Sequence, residues 1–384
     1  MSTAPKFDIW SPEYQDDLYL RYKTLRDQYP VFEYESDSNE FSKCWLLSRF
    51  DDVRDTFRDK VNFKNAETRN DIIPQLQSSD GDLHKGIRSQ VFPKLVMSAI
   101  NHIEPYIEKT VIELLDAVEA NGGCELAHEV AFEVPRRVVP ELLGFPDEMA
   151  ERMVDLVDPL AGYDPLQPRF PEPTLGDAVI DLINELFAYK KAHPGDDLMT
   201  ELIALEEAGE LVEGGTVLAA RSFAFAAYDT TINLLANGTV LLADNPLQRQ
   251  KLIDQPELMS QAIDEMLRME SPTQMIPRRV QREVELHHQK LAVGDEVLLL
   301  VGAANLDERH FNNANEFDIE REVQDHLSFG SGIHTCVGRH FAKLEASVYF
   351  KYLLERFPRY QIGTRRYKAS GWSRSFAEVQ FTCV

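Results

Sequence analysis

Apolar residues recur at three- and four-residue steps over 98–123, "SAINHIEPYIEKTVIELLDAVEANGG". Ile100, Ile103, Ile107, Val111, Leu114, Leu115 and Val118 share one helical face there, and a glycine pair stops the run. An Ala-rich apolar run from Gly215 to Ala243 outlasts an average helix before "DNP" ends it, so a long central helix is expected. "VGRHFAKLEASVYFKYLLERF" (337–357) reads as another long helix, and "CWLLSRFDDVRDTFRD" (44–59) as a short apolar strand passing into a helix with acidic residues at its start. Strand-like stretches are few and late: "VELHHQ", "EVLLLVGAAN" and "EVQFTCV". No repeat, low-complexity tract or Gly/Ser linker interrupts the pattern. The expectation is one mainly α domain over residues 1–384, with small sheets.

Composition narrows the partners. Of 384 residues, 43 % are hydrophobic, enough for a sizeable core. Acidic residues outnumber basic ones 64 to 40, a formal charge of −24, which repels nucleic acid and anionic membranes. The opening "MSTAPKFDIWSPEY" has no signal-peptide pattern, and no apolar span of about 20 residues follows, so a cytoplasmic protein without a membrane anchor is expected. Cys44, Cys124, Cys336 and Cys383 are far apart and suggest reduced thiols rather than a disulfide framework.

Cys336 stands in "HLSFGSGIHTCVGRHFA" (326–342), between two glycine-bearing turns and the start of a helix. Glycine permits turns closed to other residues and a close approach to a flat ligand, and Phe329 could shield one side. Free N–H groups at a helix start favour a thiolate and tune a bound metal. A small buried thiol is the plain alternative. A zinc site from His326, His334, Cys336 and His340 matches no common finger spacing and leaves the glycines unexplained.

"FGSGIHTCVG" (329–338) resembles the haem-thiolate loop of the cytochrome P450 superfamily, Phe-Gly-x-Gly-x-His-x-Cys-x-Gly, at every fixed position. "EMLR", with Glu265 and Arg268 on one helical face, is similar to the family's Glu-x-x-Arg pair; "DLHKGIR" (82–88) resembles its His-x-x-x-Arg; "FAFAAYDTT" (223–231) resembles the segment crossing the distal haem face. "WLLSRFDDV", "RRVVPELLGFP", "AANLDERHF" and "HLSFG" extend the likeness over most of the chain, toward soluble bacterial members. The resemblance implies a triangular helical body with a small β-rich side. It implies haem b with Cys336 as the axial iron ligand and His84, Arg88, Arg278 and His334 at the propionates, Arg279 being the close rival of Arg278. Ala226, Phe329, Gly338 and Ala342 would complete the haem contacts.

By the same resemblance Asp229 and Thr230 are the acid and alcohol that supply protons to bound oxygen. Two positions depart from the family pattern. Ala227 replaces a glycine in the distal segment, and Glu316 precedes Phe317 where a basic residue is usual, with Arg321 as a candidate compensator.

The implied function is monooxygenation of a small organic substrate, by C–H hydroxylation or oxidative O-demethylation, with O2 as co-substrate. The sequence carries no dinucleotide fingerprint and no flavin or iron–sulfur set, so electrons from NAD(P)H would come through a separate ferredoxin and its reductase, to a monomer. Arg88, Arg339, His340 and Lys343 are candidates for the docking patch. A peroxide-driven peroxygenase is one alternative, though members of that kind typically lack the acid and alcohol pair. A non-catalytic haem sensor or electron carrier is the other, and would have no use for that pair. Arg69, Ser222, Phe225, Ala226, Ile276 and Phe376 are the candidate pocket residues, the aromatic and aliphatic ones for an apolar substrate and Arg69 and Ser222 for polar groups.

Overall fold

The computed structural model describes residues 8–9, 11–35, 43–65, 76, 79–161, 173–322, 325–368 and 370–384. The Ala-rich run forms a central helix, Gly215–Asp244, whose inner residues are almost all buried. Its lack of a polar face explains its position: a helix apolar all round has to be surrounded. Helices Glu133–Leu143, Pro173–Ala192, Leu198–Glu207, Met259–Met269 and Arg339–Arg356 pack on it.

The 98–123 pattern forms less helix than its periodicity suggests. The segment breaks into Met97–Ile100, a tight turn at Asn101–Ile103, and Glu104–Asn121, because Pro105 suits a first turn and not a helix interior. Gly122 ends it at φ 71°, where a side chain would be strained.

Strands are not confined to the second half of the chain. A five-stranded sheet runs Val31–Glu35, Lys43–Leu47, Glu296–Leu300, Met275–Val280, Phe63–Asn65. Lys43–Leu47 pairs in parallel with Glu296–Leu300, Trp45 opposite Val297. A second sheet joins Gly123–Glu125, Phe376–Thr382 and Gln361–Tyr367. Two expected strands are shorter than predicted. "VELHHQ" folds back as a hairpin of Val284–Leu286 and Gln289–Leu291, with His287 and His288 at φ 48° and 66° in a two-residue turn. "EVLLLVGAAN" is strand only to Leu300, and Val301–Asn305 is helical. Gly302 leaves room there for the Gln274 amide, against which a Cβ would press.

One core cluster runs from Ile9 to Phe381 and includes the central helix; a smaller one lies between the five-stranded sheet and helix Phe50–Arg58. The Cys336 loop lies against the second cluster through Phe57 and Leu327. No helix among the described residues is long and apolar enough to cross a membrane.

Candidate functional site

The loop is shaped by its own backbone. Cys336 N–H donates to Phe329 O at 2.8 Å, closing a ring in which Gly330 and Gly332 adopt φ 69° and 76°. A Cβ on Gly332 would lie 3.2 Å from Phe57 O, so this glycine serves both the turn and the close approach. Helix Arg339–Arg356 begins three residues after the cysteine. The N–H groups of Gly338 and Arg339 point at the sulfur and, with the charges of Arg88 and Arg339, oppose the burial that pushes the thiol upward.

Above the sulfur, between the loop and the central helix, lies a cavity whose empty space, mouth included, is about 1530 Å³. The loop contributes Phe329, His334, Cys336 and Gly338, with Ala342 from the following helix. The central helix contributes Ser222, Ala226 and Thr230. His84, Arg88, Ile276 and Arg278 line the same space. Residues from four separated segments thus meet around one cavity.

The rim of this wall is cationic and short of anions. Arg278 is buried, lies over the Phe57 ring at 5.2 Å, and donates only to Pro277 O; among the described residues it forms no ion pair. Burial lowers it to about 10. Arg279 instead faces outward to Glu296 at 3.0 Å, which separates the two rivals by strand alternation. Arg88 donates to Thr335 O at 2.5 Å. His84 is buried 4.1 Å from the His334 ring, and burial, then His334 and Arg88, hold it at about 4.

His334 Nε2 meets Asp80 at 2.8 Å and Asn65 at 3.1 Å, while its buried Nδ1 has no partner among the described residues. A dianionic ring edge would complete this set, and a flat apolar macrocycle would fill the slot between Phe329, Ala342 and the central helix. The donor set fits haem.

On the distal side Thr230 Oγ1 donates to Ala226 O at 2.9 Å. This back-bond loosens the helix locally and leaves the hydroxyl oxygen open to the cavity. Ala227 also lines the wall, its methyl occupying the position of the family's glycine. Asp229 lies outside this wall. It accepts from Asn233 Nδ2 at 3.1 Å, and desolvation raises its carboxyl.

Several expected pocket residues are placed elsewhere. Ser222 touches the cavity, but its hydroxyl accepts from Leu76 N–H at 2.7 Å and donates to Leu218 O at 2.6 Å, so it is committed to holding Leu76. Phe225 packs on the core rather than the wall. Phe376 is buried and stacks on Tyr367 at 4.2 Å, drawn off by its own hairpin. Arg69 lies outside the described residues. Lys343, proposed for the docking patch, is paired with Asp264 at 2.5 Å.

The sequence reading passed over Thr231 and Glu345. Thr231 lines the cavity, and its hydroxyl lies 3.5 Å from Oε2 of the fully buried Glu345, whose Oε1 has no partner among the described residues. The signal was present: Glu345 falls in the apolar stripe Phe341, Leu344, Val348 of its helix, where an acid needs a reason.

Comparison with known proteins agrees with this geometry. Residues 177–360 match the family model for cytochrome P450. The chain is 31 % identical to cytochrome P450 107B1 of Saccharopolyspora erythraea, covering 92 % of this chain and 91 % of the relative. It is 27 % identical to the 6-deoxyerythronolide B hydroxylase of the same organism, over 94 % of each. The solved structure of P450BioI with an acyl carrier protein carrying hexadec-9Z-enoic acid superposes with a TM-score of 0.85 at 27 % identity, covering 97 % of this chain and 99 % of that one. With a thiolate loop, a cationic rim and a distal helix on one cavity, and relatives that match almost end to end, the chain belongs to the cytochrome P450 superfamily.

Proposed function

We propose that this monooxygenase hydroxylates a small organic substrate seated against Ala226 and Ile276, using Asp229 and Thr230 for proton supply. The observation that carries the reading is that the Cys336 sulfur and the Thr230 hydroxyl border one largely apolar cavity. Haem iron on a thiolate, supplied with two electrons, activates O2 so that one oxygen atom enters a substrate C–H bond and the other leaves as water. Cys336 would hold the iron, with the Gly338 and Arg339 N–H groups tuning the sulfur. His84, Arg88, Arg278 and His334 would hold the propionates. Thr230 can accept from one water and donate onward by releasing Ala226 O, so its hydroxyl can order a proton donor over the reacting centre. Asp229, one residue away, would refill that donor. The apolar wall excludes bulk water and leaves few other proton sources.

The printed name of the hydroxylase relative supports insertion into C–H bonds. The same chemistry at an O-methyl carbon gives a hemiacetal that collapses to formaldehyde and the demethylated product. We propose that electrons arrive from NAD(P)H through a ferredoxin and its reductase, docking near Arg88, Arg339 and His340 on the sulfur side of a cytoplasmic monomer. Optical titration of the ferric protein with terpenes, fatty acids, methoxyaromatics and methylated sugars tests the substrate reading. A Soret shift with apolar compounds alone supports hydroxylation in an apolar pocket; a shift confined to methoxylated polar compounds replaces it with oxidative demethylation. Turnover with hydrogen peroxide but not with ferredoxin, reductase and NAD(P)H would overturn the monooxygenase reading.

A further inference from the structure

His326 opens the thiolate loop and belongs to no cluster of three metal-ligating side chains among the described residues. Only 5 % of its side chain is exposed, and both ring nitrogens are engaged. Nδ1 accepts from Ser328 N–H at 3.3 Å, which caps the tight turn Leu327–Phe329. Nδ1 therefore holds a lone pair there, and Nε2 carries the proton that it donates to Asp264 Oδ1 at 3.2 Å. One contact fixes the tautomer, and the two together fix the plane of the ring.

Asp264 also ties down the far side of the loop. Its Oδ1 lies 2.5 Å from Nζ of Lys343, on the helix that begins after Cys336. A single carboxylate oxygen of helix Met259–Met269 thus holds one residue before the cysteine and one after it.

The turn bears on the iron-ligand position through Phe329. The His326 ring lies 5.5 Å from the Phe329 ring, tilted by 48°. Phe329 lines the cavity beside Cys336, and its carbonyl oxygen accepts the Cys336 N–H at 2.8 Å. Other bonds hold other parts of the same turn: Leu327 N–H donates to Asn305 Oδ1 at 2.7 Å, and Ser328 Oγ donates to Leu267 O at 2.6 Å. His326 adds a hold on the ring of Phe329 itself.

We propose that His326 is a positioning residue for the iron ligand: capping the turn at Ser328 N–H and braced by Asp264, it keeps Phe329 in place beside Cys336 and so sets the reduction potential of bound haem. The inference rests on the assignment of Cys336 as that ligand. A thiolate shielded from water gives its charge to the iron and favours the ferric state, whereas solvent and added hydrogen bonds at the sulfur draw that charge back and favour reduction. Loosening the turn admits water to the sulfur, so the potential should rise.

The test is a spectroelectrochemical titration of the holoprotein, with the reduced CO spectrum taken beside it. His326→Leu keeps apolar bulk against Phe329 and removes the cap. It should shift the one-electron equilibrium about tenfold toward ferrous iron, about 59 mV, while the thiolate-type CO band stays. His326→Asn should restore most of the wild-type potential, because an amide oxygen caps such a turn well. Should His326→Leu fail to hold haem, Asp264→Ala, which leaves the ring free to turn, carries the same direction. A wild-type potential in the folded variant, whatever its stability, overturns the proposal. So does a shift in His326→Asn as large as that in His326→Leu. Absence of the thiolate-type band from the wild-type protein would instead remove the ligand assignment on which the inference stands.

Discussion

Arg321 reaches into the core to Glu265: its Nε lies 3.1 Å from Oε1 of a carboxylate that is 0 % exposed. Glu265 already receives both ends of the Arg268 fork, at 2.7 and 2.8 Å. Arg268 also donates to Asn305 O and Ala314 O, and Arg321 to Asn312 O. The usual basic residue before Phe317 is Glu316 in this chain, and Arg321 supplies the second cation from four residues beyond that phenylalanine. The network thus fastens the meander that precedes the thiolate loop to helix Met259–Met269.

Removing the shared anion should cost more than removing either cation alone. Glu265→Ala leaves Arg268 buried and unpaired and should destabilise the fold by about 3–5 kcal/mol. Arg321→Leu leaves the Arg268 pair intact, and its loss should be about 1–3 kcal/mol, that of a hydrogen bond to a charged group. Chemical denaturation of the two variants checks the order; equal losses would mean that Arg321 matters to the network as much as the shared anion does.

Cys336→Ala should abolish the thiolate-type spectrum of the reduced CO complex, since no other described cysteine lines the cavity. Arg278→Leu should keep that spectrum and loosen haem, because a buried guanidinium with no other anion is lost from the rim. Competition for haem by an excess of apomyoglobin measures the loosening. Arg279→Leu is the control, and transfer as fast as in Arg278→Leu would remove the distinction between the two arginines.

The central helix and the thiolate loop were legible in the sequence because each depends on local features: an unbroken apolar run, and glycines at the positions where the backbone needs positive φ. What the sequence did not show depends on which neighbour claims a side chain. Ser222 faces the cavity as its helix phase predicts, yet Leu76, 146 residues away, takes its hydroxyl. Phe376 has the apolar character of a pocket residue, but Tyr367 across the hairpin takes its ring. Arg278 and Arg279 are adjacent in sequence and could be separated only by strand register. His287 and His288, poor β-turn formers by composition, turn the hairpin because the strands on either side pair.

Thr230 and Thr231 both line the cavity, but their hydroxyls are engaged differently. Thr230 bonds a backbone carbonyl within its own helix, and Thr231 lies near a carboxyl on another helix. Thr230→Ala should leave haem and substrate spectra unchanged while diverting electrons to peroxide. Thr231→Ala should have the smaller effect on coupling and the larger one on stability. Product formed per NAD(P)H consumed, set beside unfolding midpoints, checks both, and unchanged coupling in Thr230→Ala would remove it from oxygen activation.

Glu345 gives the pH dependence a definite sign. Burial raises its carboxyl well above the ordinary 4.5, with only the Thr231 hydroxyl favouring the charged form. Below about pH 4.5 the group is protonated in folded and unfolded chains alike, and its contribution to stability is fully present. As pH rises beyond that value the unfolded chain releases the proton while the folded chain retains it, so the folded state loses stability by up to about 1.4 kcal/mol per pH unit until the folded group ionises. Glu345→Gln keeps the shape and removes the titration. Its stability should therefore fall less steeply than wild type between pH 5 and pH 8, and the two curves should diverge steadily in denaturant midpoints taken across that range. Parallel curves would mean that Glu345 ionises in the folded protein as readily as in water, with a cation or water reaching Oε1 that the buried geometry does not provide.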